Sequence, residues 1–196
     1  MRSSAASDVY KRQSRGQEKV IGSRDGLFYI NEATGTVKSF VKPVLTSDLI
    51  LTICFYEGEY YIGTYGGGMM VLNPETLSLK YFAQGGDGDA ELFQKGHIFC
   101  VKPDTKGNLW IGTSQGLFSY NGQSKQLKHF TSANSQLPEG NVYEVSFDST
   151  GKGWIATETG MCIYDPASQS LRSNVFPEGF VNKDKVRTIY EDAEHN

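Results

Sequence analysis

Short apolar segments separated by glycine-rich turns recur along the chain at nearly regular intervals. One copy of this pattern runs from Gly107 to Asn121 and reads GNLWIGTSQGLFSYN. The other copies are recognised by an isoleucine in the same place, and the set is Ile21, Ile62, Ile111 and Ile155. The intervals between these isoleucines are 41, 49 and 44 residues. A repeat of this length, built from short strands and tight turns, predicts a solenoid or a propeller rather than a single closed domain.

Each complete copy is predicted to contain four strands. In the third copy they cover 97–102, 108–113, 117–121 and 126–130, and in the fourth copy 141–147, 153–157, 161–165 and 171–175. Consecutive strands joined by short turns form a meander, which cannot bury both of its faces alone and must stack on its neighbours. Radial stacking gives a β-propeller. We therefore expect an all-β fold of about four blades, each a four-stranded antiparallel meander.

The spacing of the copies also predicts the domain organisation. Residues 1–13 share neither the composition nor the period of the rest and resemble a translated sequencing adapter, so we expect a non-native, disordered segment. The predicted order is then a partial blade 1 at 18–47, blade 2 with an acidic loop at 48–96, blade 3 at 97–140, blade 4 at 141–184 and the first strand of a truncated blade 5 at 185–196. The chain is expected to be a fragment, since the next repeat's aromatic residue would fall two positions beyond Asn196.

Composition and charge narrow the range of partners. The net charge is −3 at pH 7 without a basic cluster, so nucleic acid is not a predicted partner. The sequence contains no apolar run of 18 residues that would cross a membrane. Aromatic residues make up 12% of the chain and there are 22 glycines, which favours strands and turns over helices.

Metal ligation is not predicted. The acidic stretch 83–96 is interpreted as a flexible loop; calcium coordination is the alternative, but the stretch offers few side-chain oxygens and lacks the closing Glu of a calcium loop. Cys54, Cys100 and Cys162 lie in apolar strand patterns without C-x-x-C spacing or a histidine at ligand spacing. We expect them to be buried free thiols.

An aromatic residue occupies one repeated position in the second strand of three copies: Tyr61, Trp110 and Trp154. A residue that recurs in every repeat usually meets a structural need, so we interpret these side chains as packing between blades. An aromatic platform that stacks on sugar rings is the alternative function.

Polar side chains collect where the innermost strands begin and in the turns between second and third strands. In a propeller these segments form one face, and here they are polar, mixed in charge and different from blade to blade. The predicted ligand-binding residues are Arg24, Asp25, Tyr65, His97, Ser114, Gln115, Asn141, Glu158 and Lys185. For each of them an ordinary solvated turn is the alternative interpretation. Residues 104–108 and 148–153 lie on the opposite face and are typical turn sequences.

The pattern N-x-V-x-x-I-x-x-D-x-x-G-x-L-W-I-G-T-x-x-G-L-x-x-Y resembles the two-component regulator propeller repeat. The third copy matches it at Gly107, 109–113, Gly116, Leu117, Tyr120 and Asn121. The fourth copy matches it at Asn141, Val142, Val145, Asp148, Gly151, Trp154, Ile155 and Thr157. Three departures are an alanine at Ala156 in place of glycine, extra residues at 66–68, and the missing aromatic before Ile21.

This resemblance implies a seven-bladed propeller in the periplasmic sensing region of a hybrid histidine kinase of the Bacteroidota type. The ligand would be an oligosaccharide or another small molecule. Further partners would be the remaining blades of the same protein and a second copy in a homodimer, with the membrane reached only through downstream segments. Neither a cofactor nor a metal is implied.

Two other classes of function stay open. A secreted or surface propeller that acts as a non-enzymatic binding scaffold needs the same blades and variable loops. A propeller enzyme, such as a lyase or quinoprotein, is disfavoured because His97, His129 and His195 occupy different positions in their repeats and no motif places a nucleophile beside a base. We therefore expect no catalytic site in this chain.

Overall fold

The computed structural model describes residues 9–82, 87–173 and 185–189. These residues form four antiparallel sheets of four strands each. The chain separates into two compact units, Met1–Ile98 and Phe99–Asn196. Sheets 1 and 2 belong to the first unit, and sheets 3 and 4 belong to the second, apart from the first residue of sheet 3.

The strand boundaries follow the chain order. Sheet 1 contains β1 (Val9–Arg15), β2 (Glu18–Ser23), β3 (Leu27–Asn31) and β4 (Thr36–Phe40). Sheet 2 contains β5 (Ile50–Tyr56), β6 (Glu59–Thr64), β7 (Met69–Asn73) and β8 (Ser78–Tyr81). A helix, α1 (Asp87–Lys95), precedes sheet 3, which contains β9 (Ile98–Pro103), β10 (Asn108–Thr113), β11 (Gly116–Asn121) and β12 (Gln126–Phe130). Sheet 4 contains β13 (Val142–Phe147), β14 (Gly153–Thr157), β15 (Gly160–Asp165) and β16 (Ser170–Ser173).

Strands that follow one another in the chain are neighbours in every sheet. Each sheet is therefore a meander, and the predicted all-β fold of consecutive four-stranded units is confirmed. The registers repeat as well, since Trp110 pairs with Ser119 in sheet 3 and Trp154 pairs with Ile163 in sheet 4. Equivalent residues of the repeats consequently occupy equivalent places in their sheets.

The hairpin between the second and third strands explains the repeated threonine and glycine. The buried Thr113 hydroxyl donates to the carbonyl oxygen of Gly116 at 2.9 Å, and Thr157 makes the same bond to Gly160 at 2.8 Å. Gly116 has a φ of +113°, and a Cβ there would lie 2.5 Å from the carbonyl oxygen of Phe130. Only glycine fits this position without moving the backbone of the fourth strand.

Each unit has its own hydrophobic core. The core of the first unit includes Val20, Leu27, Tyr29, Phe40, Leu45, Ile50, Ile53, Tyr60, Ile62, Met70 and Leu72. The core of the second unit includes Cys100, Trp110, Leu117, Leu137, Val142, Val145, Ile155, Cys162 and Leu171. Trp110 is 1% exposed and its ring centroid lies 4.5 Å from that of Tyr164 in sheet 4. The predicted packing of this tryptophan between blades is thus confirmed.

The N-terminal segment differs from the prediction. Residues 1–13 were expected to be disordered, whereas Val9–Arg15 forms strand β1 and pairs with β2 from Val9↔Ser23 to Arg15↔Glu18. Strand β2 has a free backbone edge unless a first strand covers it, and β1 satisfies its hydrogen bonds. Sheet 1 therefore has four strands, where the sequence pattern indicated three. Residues 1–8 lie outside the described residues.

The acidic stretch before sheet 3 also differs from the prediction. A flexible loop was expected over 83–96, but Asp87–Lys95 is an α-helix. Leu92 and Phe93 are 1% and 0% exposed, and the Phe93 ring meets that of Phe82 edge to face at 4.8 Å. Burial of these two side chains stabilises a helix that is too short to form alone. Residues 83–86 lie outside the described residues.

The start of the predicted fifth blade is described only at 185–189, where no strand is assigned. The backbone N–H of Val186 donates to the carbonyl oxygen of Thr157 at 3.0 Å, so this segment lies beside the end of β14. Residues 190–196 lie outside the described residues. Over the part of the chain that is described, no helix combines the length and apolarity needed to span a bilayer.

The three cysteines are buried free thiols, as predicted. Burial raises the pKa of Cys100 and of Cys162 to about 12. Within the described ranges, no three His, Cys, Asp or Glu side chains are grouped in a way that would hold a metal ion.

Candidate ligand-binding face

The nine predicted ligand-binding residues all lie outside the strands, at the ends where hairpins turn or inner strands begin. The structure brings two sets of them together. Tyr65 contacts His97 in the first unit, and Asn141 contacts Glu158, which contacts Lys185, in the second unit. The others lie in the turns of their own hairpins.

Tyr65 and His97 form a stacked pair. Their ring centroids are 4.1 Å apart with planes inclined by 29°. The Tyr65 backbone is held by two hydrogen bonds, from its N–H to the Leu49 carbonyl at 3.0 Å and from the Ser47 hydroxyl to its carbonyl at 2.8 Å. Since Tyr65 is 52% exposed, one flat aromatic surface faces solvent on a fixed backbone.

The β10–β11 turn holds Ser114 and Gln115. The Gln115 N–H donates to the Thr113 hydroxyl oxygen at 3.0 Å, and the Gln115 carbonyl oxygen lies 2.9 Å from Nε2 of His129. His129 in turn stacks on Phe118 at 3.9 Å. The turn is therefore ordered by its own sheet, and the Gln115 side chain is exposed.

In sheet 1 the corresponding turn holds Arg24 and Asp25, both exposed. The Asp25 N–H donates to the Ser23 hydroxyl oxygen at 3.0 Å. This bond shapes the turn in the way the sequence predicted for an ordinary hairpin.

The most connected set of predicted residues surrounds Glu158, in the β14–β15 turn. Its Oε2 accepts a hydrogen bond from the Asn141 N–H at 3.4 Å, and the Glu158 N–H donates to the Asn141 carbonyl oxygen at 2.9 Å. Its Oε1 accepts from the Tyr143 hydroxyl at 3.4 Å and from the Lys185 ammonium at 3.4 Å. We call Asn141, Tyr143, Glu158 and Lys185 the Glu158 cluster.

Electrostatics in the Glu158 cluster favour the charged forms of both partners. The hydrogen bond from the Asn141 N–H, followed by the contact with the Lys185 ammonium, lowers the pKa of Glu158. The hydrogen bond with Tyr143, followed by the contact with Glu158, raises the pKa of Lys185. The cluster therefore presents an ordered, charged and solvent-accessible array that can exchange these contacts for those of a polar ligand.

Three residues that were not predicted from the sequence complete this region: Phe99, Tyr143 and Arg187. The Tyr143 ring lies under two cations, with Lys185 Nζ 5.0 Å and Arg187 Cζ 5.2 Å from its centroid, and meets Phe99 edge to face at 5.2 Å. Phe99 and Tyr143 each follow the first buried apolar residue of an inner strand, and Arg187 follows the half-buried Val186. That shared register is readable from the sequence, but the alternation does not show which of these side chains meet in the folded chain.

Residues 93–115 match the family model described as two component regulator propeller. The predicted repeat type is confirmed. No curated protein sequence matches the chain at a significant level.

Solved structures match almost the whole chain. The extracellular domain of BT4673 from B. thetaiotaomicron, described as a one component system, matches with a TM-score of 0.75 and 20% identity over 96% of this chain and 25% of that chain. The extracellular domain of BT3049 from the same organism, described as a hybrid two component system, matches with a TM-score of 0.71 and 25% identity over the same shares. The present chain thus spans about a quarter of these solved chains, and its sheets are β-propeller blades.

Proposed function

We propose that this chain is part of an extracytoplasmic, periplasmic propeller that senses oligosaccharides for a two-component signalling protein. The observation that carries the proposal is the match of 96% of the chain, at 25% identity, to the extracellular domain of a hybrid two component system. The repeat match at residues 93–115 supports the same class of protein. The whole protein would act by binding and signalling, with no reaction catalysed by these blades.

The ligand would bind at the face formed by the starts of the innermost strands and the turns between second and third strands. We call it the loop face, and it holds the Glu158 cluster. Oligosaccharides present many hydroxyl groups, which hydrogen-bond to amide, carboxylate and ammonium groups such as those of Asn141, Glu158 and Lys185. To signal, the ligand has to bind one arrangement of the sensor more tightly than another, because equal affinity for both arrangements shifts no population.

The first test is a saccharide screen on the purified protein that contains this chain. A ligand at 100 times its Kd should stabilise the folded state by about 2.7 kcal/mol, which raises the melting temperature by several degrees. Thermal melts with plant, fungal and host-derived oligosaccharides measure this shift. If no saccharide raises the melting temperature, the proposal loses its support and a binding scaffold with another partner becomes the better hypothesis.

The second test places the site. Glu158→Gln removes the charge that holds Lys185 and should weaken binding of an active saccharide at least tenfold. Glu91→Gln is the matched control, because Glu91 and Lys95 form a separate exposed Glu–Lys pair at 3.9 Å on helix α1. Isothermal titration calorimetry measures the affinity of each variant for the saccharide. Equal loss of affinity in both variants would contradict a site at the Glu158 cluster.

A further inference from the structure

A groove opens between sheets 3 and 4, at the end of the strands away from the Glu158 cluster. It has a volume of about 160 Å³. Its lining includes Trp110, Ser119, Asn121, Lys128, Phe130 and Tyr164. Trp110 in the lining lies three residues before Thr113, the last residue of β10, so roughly 10 Å of extended strand separates it from the β10–β11 turn. We call this space the Ser119 groove.

Sheet 3 carries a smaller residue beside the groove than the other sheets carry at the same place. In sheet 3 the third-strand partner of Trp110 is Ser119. The residues that occupy the place of Trp110 in sheets 1, 2 and 4 are Val20, Tyr61 and Trp154. Their third-strand partners are Tyr29, Val71 and Ile163. Serine at this place removes side-chain volume that the other three repeats retain.

The same place between sheets 1 and 2 is filled. Tyr29 is 2% exposed and belongs to the core that also contains Leu72 of sheet 2. Its hydroxyl donates to Glu18 Oε1 at 2.8 Å, and Glu18 Oε2 accepts from Tyr60 at 3.1 Å. The repeat architecture therefore does not require a groove between neighbouring sheets.

One wall of the Ser119 groove is aromatic. Trp110 packs between Phe130, at a centroid distance of 5.8 Å, and Tyr164, at 4.5 Å. The Trp110 indole N–H donates to Asp104 Oδ2 at 2.9 Å, which fixes the ring. Trp110 itself is 1% exposed, so the half-buried rings of Phe130 and Tyr164 offer the C–H and ring surface that a ligand would contact.

The same groove also carries polar groups, since Ser119 pairs with Trp110 in sheet 3 and the Tyr164 ring carries a hydroxyl. Among the described residues, the hydroxyl groups of Ser119 and Tyr164 have no hydrogen-bond partner, although Ser119 is only 8% exposed. Asn121 is held by its donation to Asn108 Oδ1 at 3.0 Å and by the Ser124 N–H, which donates to Asn121 Oδ1 at 2.9 Å. The groove thus combines a rigid amide, two available hydroxyls and an aromatic wall.

The size of the groove selects the ligand. A protein cavity of about 150 Å³ admits one six-membered ring such as benzene, but the polar lining here calls for a ring that carries hydroxyl groups. We propose that the Ser119 groove binds one pyranose ring of a saccharide, at a site separate from the loop face. The inference rests on the groove alone and holds whether or not the protein is a sensor.

The two tryptophans supply a built-in probe. Trp110 lines the groove, whereas Trp154 occupies the equivalent place in sheet 4 and makes the equivalent bond, from its indole N–H to Asp148 Oδ2 at 2.8 Å. In a ¹⁵N-labelled protein the chain contributes two indole N–H signals, which Trp154→Phe assigns. Titration with methyl glucoside and with methyl glucuronide should shift the Trp110 signal and leave the Trp154 signal in place.

Substitutions at Ser119 test whether the groove itself is the site. Ser119→Tyr and Ser119→Val introduce the residues of sheets 1 and 2 and should weaken binding at least tenfold. Ser119→Ala keeps the space and should lose only a fewfold affinity. If Ser119→Tyr does not fold, the smaller Ser119→Val still decides. Lys128 lines the groove, and Lys80 is its counterpart in sheet 2. If Lys128→Ala weakens binding of methyl glucuronide and Lys80→Ala does not, the ammonium group of Lys128 contributes to the affinity for a carboxylated ring.

A shift of the Trp110 signal by either glycoside, abolished by Ser119→Val or Ser119→Tyr, supports the proposal. An unchanged Trp110 signal at high millimolar concentrations of both glycosides means that the groove holds only water, and overturns it. Binding that persists unchanged in Ser119→Val and Ser119→Tyr places the saccharide elsewhere and also overturns it.

Discussion

At the scale of single residues, one carboxylate organises the turn before each tryptophan-containing strand. Asp148 Oδ1 accepts from the backbone N–H groups of Thr150 at 2.9 Å and Lys152 at 3.0 Å, while Oδ2 accepts from the Trp154 indole at 2.8 Å. Asp104 does the same in sheet 3. The sequence predicted a turn here from its Asp and Gly residues, but the bond to the indole joins residues six apart and was not predicted.

Replacement of Asp148 tests this arrangement. Burial raises the pKa of Asp148, but the hydrogen bonds from Thr150, Trp154 and Lys152 outweigh it, and the net pKa is lowered. A carboxylate with a lowered folded-state pKa stabilises the fold above its unfolded pKa of about 4 and loses that contribution as the pH falls through the folded value. We expect Asp148→Asn to cost about 1–2 kcal/mol at pH 7 and to reduce the loss of stability as the pH falls below about 4.

Urea unfolding of wild type and Asp148→Asn over this pH range measures both effects. Trp154→Phe removes the indole donor and keeps the ring bulk, so the double variant gives the coupling between the two side chains. Additive effects of the two substitutions would show that the indole bond contributes nothing to stability.

At the scale of elements, close approach of neighbouring strands explains the glycine that precedes Thr64 and Thr113. A Cβ on Gly112 would lie 2.6 Å from Cys100 Sγ and 2.7 Å from the Val142 carbonyl oxygen. Gly63 is confined in the same way by Thr52 and Ile98. The sequence showed that this position repeats, but only the structure shows that the first strand of the next sheet occupies the space.

Gly112→Ala should therefore destabilise the second unit. The added methyl group meets backbone oxygen, which cannot rotate away, and overpacking of this kind costs about 1–3 kcal/mol. Chemical denaturation monitored by tryptophan fluorescence measures the change. Ala156→Gly, at the same place in sheet 4, is the matched control and should change stability by no more than about 1 kcal/mol. A Gly112→Ala variant as stable as wild type would contradict the close-approach explanation.

At the scale of the whole molecule, the two units have separate cores, and the buried thiols are distributed between them. Cys54 lies in the first unit, and Cys100 and Cys162 lie in the second. These thiols were predicted from their apolar surroundings, because a cysteine in a strand with hydrophobic neighbours is usually buried. Which unit each thiol belongs to depends on contacts between residues far apart in the sequence, and a local sequence pattern does not predict these contacts.

Thiol labelling can follow the units separately. At pH 8 a thiol with a pKa of about 12 is ionised to roughly one part in ten thousand, and burial excludes the reagent as well, so native Cys100 and Cys162 should not react with iodoacetamide. With increasing urea, we expect Cys100 and Cys162 to become labelled together because they share one core. Mass spectrometry of the labelled peptides measures this, and labelling of either residue without denaturant would contradict their burial.

The sequence by itself determined the repeat, the four-strand units and their glycine-containing turns, because alternation and backbone conformation are local properties. Only the tertiary structure decided which distant groups meet. It paired Val9–Arg15 with β2, folded Asp87–Lys95 into a helix on Phe82, and placed Tyr143 beneath Lys185 and Arg187. It also left a groove beside Ser119. Whether a small side chain leaves such a space depends on how the neighbouring sheet packs, which the local sequence does not specify.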